Sequence, residues 1–172
     1  MKTIKSIFTA VLLFSFCINT HAQTEQLLDK VPTTKEAFVS SEPKVIATIN
    51  WLENTPLNQE VDKRKIEYTL LMGWAIKSPT VTLDVSANIL TFTKENPDLL
   101  MIFMGGWVRY CLQNNYSTDN VKGNLAGIRS AIKVYNKGIG IKRDKEMEKL
   151  IALNSNGTLE KWVRDGLDKK DK

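Results

Sequence analysis

Histidine and cysteine are nearly absent from this chain. One histidine and two cysteines occur in 172 residues, and His21 and Cys17 both fall within the first 22. Beyond that point the only thiol is Cys111 and there is no imidazole. An internal disulfide is therefore excluded after residue 22. Ser-His-Asp and Cys-His catalysis within one chain are excluded as well, and so is the nitrogen ligand that catalytic zinc ordinarily uses. A strong charge of one sign is also missing. The 24 basic residues, less Lys2 and Lys5, stand against 19 acidic ones, an excess of three after residue 22. That is far short of a dedicated nucleic-acid binder, and no nucleic-acid partner is expected.

Long hydrophobic runs are scarce, and each of the two has its own meaning. The first, Ile7 to Ile18, is short of the roughly 20 residues a bilayer-spanning helix needs. Lys2 and Lys5 precede it and the small-x-small pattern Thr20-His21-Ala22 follows, which is the order of a secretory signal peptide. Cleavage is expected after Ala22, giving a protein that starts at Gln23 and is exported, periplasmic or secreted. Phe16 before Cys17 argues against a lipid anchor. The second run, Leu99 to Leu112, spans about 21 Å as a helix, below the roughly 30 Å hydrocarbon core. A helix apolar on every side is the centre of a bundle, and no membrane span is expected after signal cleavage. The expected organisation is a signal peptide over 1–22, an irregular arm over 23–40, a helical domain over 41–167 and a charged tail over 168–172.

What is present is helical punctuation. Ser40-Ser41-Glu42-Pro43 suits a helix start, with Val45, Ile49 and Leu52 at helical spacing and Asn54-Thr55-Pro56 as its end. Asn58 to Lys77 forms a second helix with Ile66, Leu70 and Trp74 as its buried stripe, stopped by Ser78-Pro79. Residues 80–85 (TVTLDV) alternate as a strand does. With no partner strand in view, they equally suit an extended linker into a helix beginning at Asp84 or Ser86. Asn96-Pro97-Asp98 opens the apolar helix. Thr118-Asp119 caps another, with a stripe from Val121 to Tyr135, while Gly123, Gly127 and Ala131 leave room for a close neighbour. Gly138-Ile139-Gly140 is a turn, and Asp144 and Thr158 begin the last two helices. The fold class that follows is all-α, a single compact bundle of six or seven helices, with stacked helix–turn–helix units as one arrangement. Gly73-Trp74 and Gly106-Trp107 lie 33 residues apart, an interval typical of helix-pair repeats, but Gly140 at the next interval is followed by Ile141. Chance or a shared packing need explains the echo better than an array does.

Chemistry is sparse. Gly138-Ile139-Gly140 lacks the third glycine of a dinucleotide fingerprint and the Gly-Lys-Ser/Thr ending of a phosphate loop, so no cofactor is expected. No metal site is expected either. The basic cluster Lys133, Lys137, Lys142, Arg143, Lys145 and Lys149 could hold an anionic surface such as a polysaccharide or lipid headgroup, but a solvated helix end and loop is the favoured reading. Asn115-Tyr116-Ser117 and Asn156-Gly157-Thr158 match the glycosylation sequon and mark surface loops. Cys111, in the most apolar helix with no histidine beside it, is expected to be a packing residue with a raised pKa. Acids remain the one catalytic option. Glu67, Asp84, Glu95 and Asp98 lie near apolar segments, and two convergent carboxylates could serve a small secreted glycan hydrolase acting on cell wall.

Arg109 is the only charge between Leu99 and Leu112. A guanidinium there needs a carboxylate, a ring of acceptors or a path to water. Two placements satisfy it. Arg109 can snorkel outward near the helix C-terminus, or it can point into a groove lined by Trp107 and Tyr110 and hold a ligand's carboxylate or phosphate. The leading function is a non-enzymatic binding or protein-interaction module, with Arg109, Trp107 and Tyr110 as its candidate site and an envelope component or another protein as partner.

Overall fold

A computed structural model of the protein describes residues 26–169. The expected signal peptide, with its cleavage point after Ala22, lies outside the described residues, as do positions 170–172 of the tail. Among the described residues the chain forms six α-helices and no strand: α1 (Lys35–Asn54), α2 (Val61–Lys77), α3 (Leu99–Gln113), α4 (Asn120–Tyr135), α5 (Lys145–Ser155) and α6 (Leu159–Asp168). The all-α bundle is as expected. Its spine is the α3–α4 hairpin, with α1 and α2 packed on one side and α5 and α6 on the other.

The hairpin follows from glycine positions. Gly127 faces Phe103, and a Cβ there would meet the Phe103 ring at 2.6 Å and its carbonyl oxygen at 2.7 Å. Gly123 faces the Trp107 indole, and Gly106 faces Ala126 and Ser130. Contacts that descend along α4 as they ascend along α3 make the pair antiparallel, as a short connection favours. The four-residue spacing of small side chains on α4 thus admits Phe103 and Trp107, whose rings meet edge-on at 5.9 Å. Trp107 is only 1% exposed and Trp74 is fully buried, so the two Gly-Trp pairs do share a packing role.

α1 begins six residues earlier than the serine pair suggests. Thr34 caps it, accepting from the Ala37 N–H at 3.3 Å, and Pro43 stands inside the helix. Proline removes one backbone donor, so the turn before it needs other support. Phe38 supplies some by packing on Trp74 at 5.7 Å between centroids, and Trp74 Nε1–H donates to Ser41 Oγ at 2.8 Å. The Ser40 and Ser41 hydroxyls donate to the Ala37 and Phe38 carbonyls. The arm is accordingly shorter than expected, and it too is packed, with Leu28 2% exposed.

The buried face of α2 also differs. Ile66 is 59% exposed, while Arg64, Glu67, Leu71, Trp74 and Ala75 face inward. The reason lies at the end of α1, which has no basic residue in its last turn. Arg64 supplies the missing cation. It donates through Nη2 to Thr55 O at 2.6 Å and Pro56 O at 3.0 Å, and through Nη1 to Leu52 O at 3.1 Å. Trp51 and Tyr68 flank the guanidinium at 5.6 and 5.8 Å. The guanidinium thereby satisfies carbonyls left without partners at the negative end of α1, a role that Ile66 could not fill.

Residues 81–86 carry no regular secondary structure and no strand pairing. Val81 is buried and Leu83 and Val85 half-buried, with Thr82 and Asp84 exposed between them, so the alternation is real although no sheet forms. The helix expected from Asp84 or Ser86 is instead a series of turns that seats Ile89 and Phe92 in the core. Asn96, read as a cap, reaches across to the loop before α5. Its Nδ2 donates to Lys142 O at 2.9 Å and its Oδ1 accepts from Lys142 N–H at 2.8 Å. Asp119 and Asp144 do cap α4 and α5. Gly138 and Gly140 sit at φ +69° and +72°, which explains glycine at both ends of that turn. No helix among the described residues is long and apolar enough to cross a membrane.

Candidate functional site

Three elements meet around Arg109. On α3, Gly106, Arg109, Tyr110 and Gln113 follow the spacing i, i+3, i+4, i+7 that puts residues on one helix face. On α4, Ala126, Arg129, Ser130 and Lys133 repeat that spacing, and the two faces line one open cavity of about 330 Å³. Asn114 adds to its edge. Beneath it, α1 contributes Asn50 and Glu53. Gly106 and Ala126 carry no bulk, so the polar ends of the longer side chains define the walls.

Glu53 is completely buried and holds the cluster together. Its Oε1 accepts from Arg109 Nη2 at 2.6 Å and its Oε2 from Lys133 Nζ at 2.7 Å. Burial opposes its ionisation, yet hydrogen bonds from Arg109, Lys133 and Ser130 more than offset that, and the carboxyl sits below the usual glutamate range. Arg109 also donates to Asn50 Oδ1 and Ser130 Oγ, each at 3.1 Å. With its side chain 22% exposed, Arg109 neither snorkels free nor points wholly outward. It is half of a cross-helix ion pair and at the same time part of a cavity wall. Tyr110 shares that cavity. Trp107 does not: it faces Gly123 from inside the core, so the groove expected to include it is built without it.

Several side chains of the candidate site were not visible as such in the sequence. Glu53 stands in an unremarkable helix end, and Arg129 and Lys133 pass for solubilising charges. The one signal that could have found them is the matched i, i+3, i+4, i+7 spacing on the two halves of a hairpin. The basic cluster around Lys137 and Arg143 also resolves into separate jobs. Lys137 donates to the carbonyls of Glu53 at 2.6 Å and Asn54 at 3.3 Å, Arg143 pairs with Glu148 at 2.7 Å, and Lys149 with Glu146 at 3.7 Å.

The four candidate acids are placed apart. Glu67 faces α1 beside Thr48, Asp84 accepts from Asn120 at 3.4 Å, and Asp98 lies near Tyr68. Glu95 shares a cavity of about 320 Å³ with Asp144 and Glu146, among Lys94, Arg143 and Lys145. There Asp144 is engaged as the α5 cap and Glu146 with Lys149. Among the described residues, no group of three or more His, Cys, Asp or Glu side chains is placed to hold a metal ion. Cys111 is buried, and burial pushes its thiol pKa up, as a packing residue requires. Comparison with protein-family models, curated proteins and solved structures finds no match for this chain.

Proposed function

We propose that this chain is an exported binding or interaction module that seats an anionic group in the α3–α4 cleft. One observation carries the reading: Arg109, Arg129 and Lys133 line a single cavity, and among the described residues no acidic side chain lines it with them. The volume, about 330 Å³, suits a small ligand or the anionic end of a larger one. Tyr110, Gln113 and Asn114 on its rim supply neutral hydrogen-bonding groups for whatever carries the anion. Glu95 shares its cavity with Asp144 and Glu146, but Asp144 is engaged as the α5 cap and Glu146 with Lys149, which supports binding over carboxylate-dependent glycan hydrolysis, a reaction that needs two available acids converging on one bond. Export rests on the charge, apolar and small-residue order of the first 22 positions.

An NMR titration of the ¹⁵N-labelled chain with sulfate and glycerol phosphate tests the site. Shifts are expected at the amides of Gly106, Tyr110 and Ser130. Absence of any localised change at millimolar anion would sink the reading.

A further inference from the structure

The charge in the α3–α4 cleft does not cancel, and the remainder says which anion fits. Three cations line it, Arg109, Arg129 and Lys133, against one carboxylate, Glu53. Both Glu53 oxygens are occupied, one by each of two cations, and the group is wholly buried beneath them. Arg129 has only a neutral partner, with its Nε donating to Asn154 Oδ1 at 3.3 Å. Lys137, one turn beyond Lys133, is engaged with the carbonyls of Glu53 and Asn54 at the negative end of α1. Two positive charges are left facing the cavity.

Building on the anion-binding reading above, we infer that the cleft is matched to a dianion, specifically a phosphate monoester group. A carboxylate would leave one cation uncompensated. A phosphoryl group brings about two negative charges near neutral pH and three acceptor oxygens. The donors to meet them are present. A guanidinium offers five N–H groups, and Arg109 gives three bonds to Asn50, Glu53 and Ser130. Lys133 gives one of its three to Glu53 and its side chain is 52% exposed. Glu53 is the positioning residue, since it holds a guanidinium from α3 and an ammonium from α4 at one fixed point. The monoester can be a free solute or a lipid headgroup, because the cleft reads only the phosphoryl end.

The test is calorimetric titration of the full-length chain with glycerol phosphate, sulfate and acetate at pH 5 and pH 7.5. Glycerol phosphate loses its second proton near pH 6, sulfate is a dianion at both values, and acetate never exceeds one charge. The ionisable groups lining the cleft are Arg109 and Tyr110 from α3 and Arg129 and Lys133 from α4, with Glu53 of α1 buried beneath them and Lys137, in the turn after α4, held on the α1 carbonyls. Glu53 is held ionised over this window, so the change in pH acts on the ligand. Glycerol phosphate should bind about tenfold tighter at pH 7.5, in proportion to its dianionic fraction, while sulfate stays constant and acetate binds most weakly. Arg129→Gln should weaken both dianions roughly fivefold without moving the thermal midpoint, since Arg129 is exposed and bonds only Asn154. Co-sedimentation with phosphatidylcholine vesicles containing phosphatidate assigns the group to a lipid if it depends on Arg129. Soluble binding without co-sedimentation assigns it to a solute, and either result supports the dianion. Equal affinity for all three anions at both pH values overturns the dianion match while leaving an anion site in place. No binding of any anion overturns both.

Discussion

Glu53 keeps its charge in a place with no exposure to water because Arg109 and Lys133 approach it from two different helices. Such a cluster is weak evidence of net stability, but breaking it by removing one partner is costly, about 3 kcal/mol, because a buried charge is left behind. Arg109→Ala is therefore expected to lower stability by about that amount in urea unfolding, and Glu53→Gln by a comparable one. The Glu53 carboxyl is depressed in the folded state, so its contribution is present above the unfolded glutamate value of 4.5 and fades as pH falls below it. Acid unfolding of Glu53→Gln should then show a shallower dependence on pH below 4.5 than the parent; identical slopes would remove Glu53 from the account. Glu67 behaves oppositely. Burial raises its pKa, against the pull of Lys63 and Thr48. A raised folded value stabilises most below 4.5 and loses that stabilisation as pH rises through it. Glu67→Gln, which keeps an acceptor for the Thr48 hydroxyl, should raise the thermal midpoint at pH 7 and leave it unchanged near pH 3. A lower midpoint at pH 7 would mean that the ionised carboxylate is needed where it lies.

Between elements, the governing distance is that of α3 from α4, and glycine sets it. In an isolated helix, replacing glycine by alanine gains about 1 kcal/mol. At Gly127 the added methyl would sit 2.7 Å from the Phe103 carbonyl, which is backbone and cannot swing aside. Overpacking of this kind costs about 1–3 kcal/mol beyond any propensity gain, so Gly127→Ala is expected to destabilise by about 2 kcal/mol in urea unfolding. A stabilised variant would show that the hairpin can open without penalty. The same separation brings Arg109 within reach of Ser130, so the cleft and the packing of the hairpin are one geometric fact. At the far end of α1, Arg64 from α2 and Lys137 from the turn after α4 meet the carbonyls, which ties α2 and the end of α4 to a single terminus.

At the scale of the molecule, the segment before α1 belongs to the core. Leu28 is 2% exposed and its N–H donates to Thr48 Oγ1 at 2.9 Å, and Val31 fills the space over Gly73. The exposed Asp29–Lys44 pair adds little by comparison. Leu28→Ala should cost about 3 kcal/mol, the value for emptying a buried leucine site, with far-UV and aromatic signals still lost together in one urea transition. A change under about 0.5 kcal/mol would make the segment a surface appendage.

The all-helical class, the ends of α4 and α5 at Asp119 and Asp144, the stop before Pro79 and the glycine turn at 138–140 were legible in the sequence, because each depends on neighbours within about four positions. The small-residue spacing on α4 was legible for the same reason. The burial of Arg64 in preference to Ile66, the start of α1 at Lys35 and the union of Glu53 with Arg109 and Lys133 were not. Those residues lie 56 and 80 positions from Glu53, and what brings them together is the register of three packed helices. Local periodicity can say that a face is apolar. Only tertiary structure decides where a helix terminus lacks a cation and where a buried carboxylate finds two, because those demands are created by the packing itself.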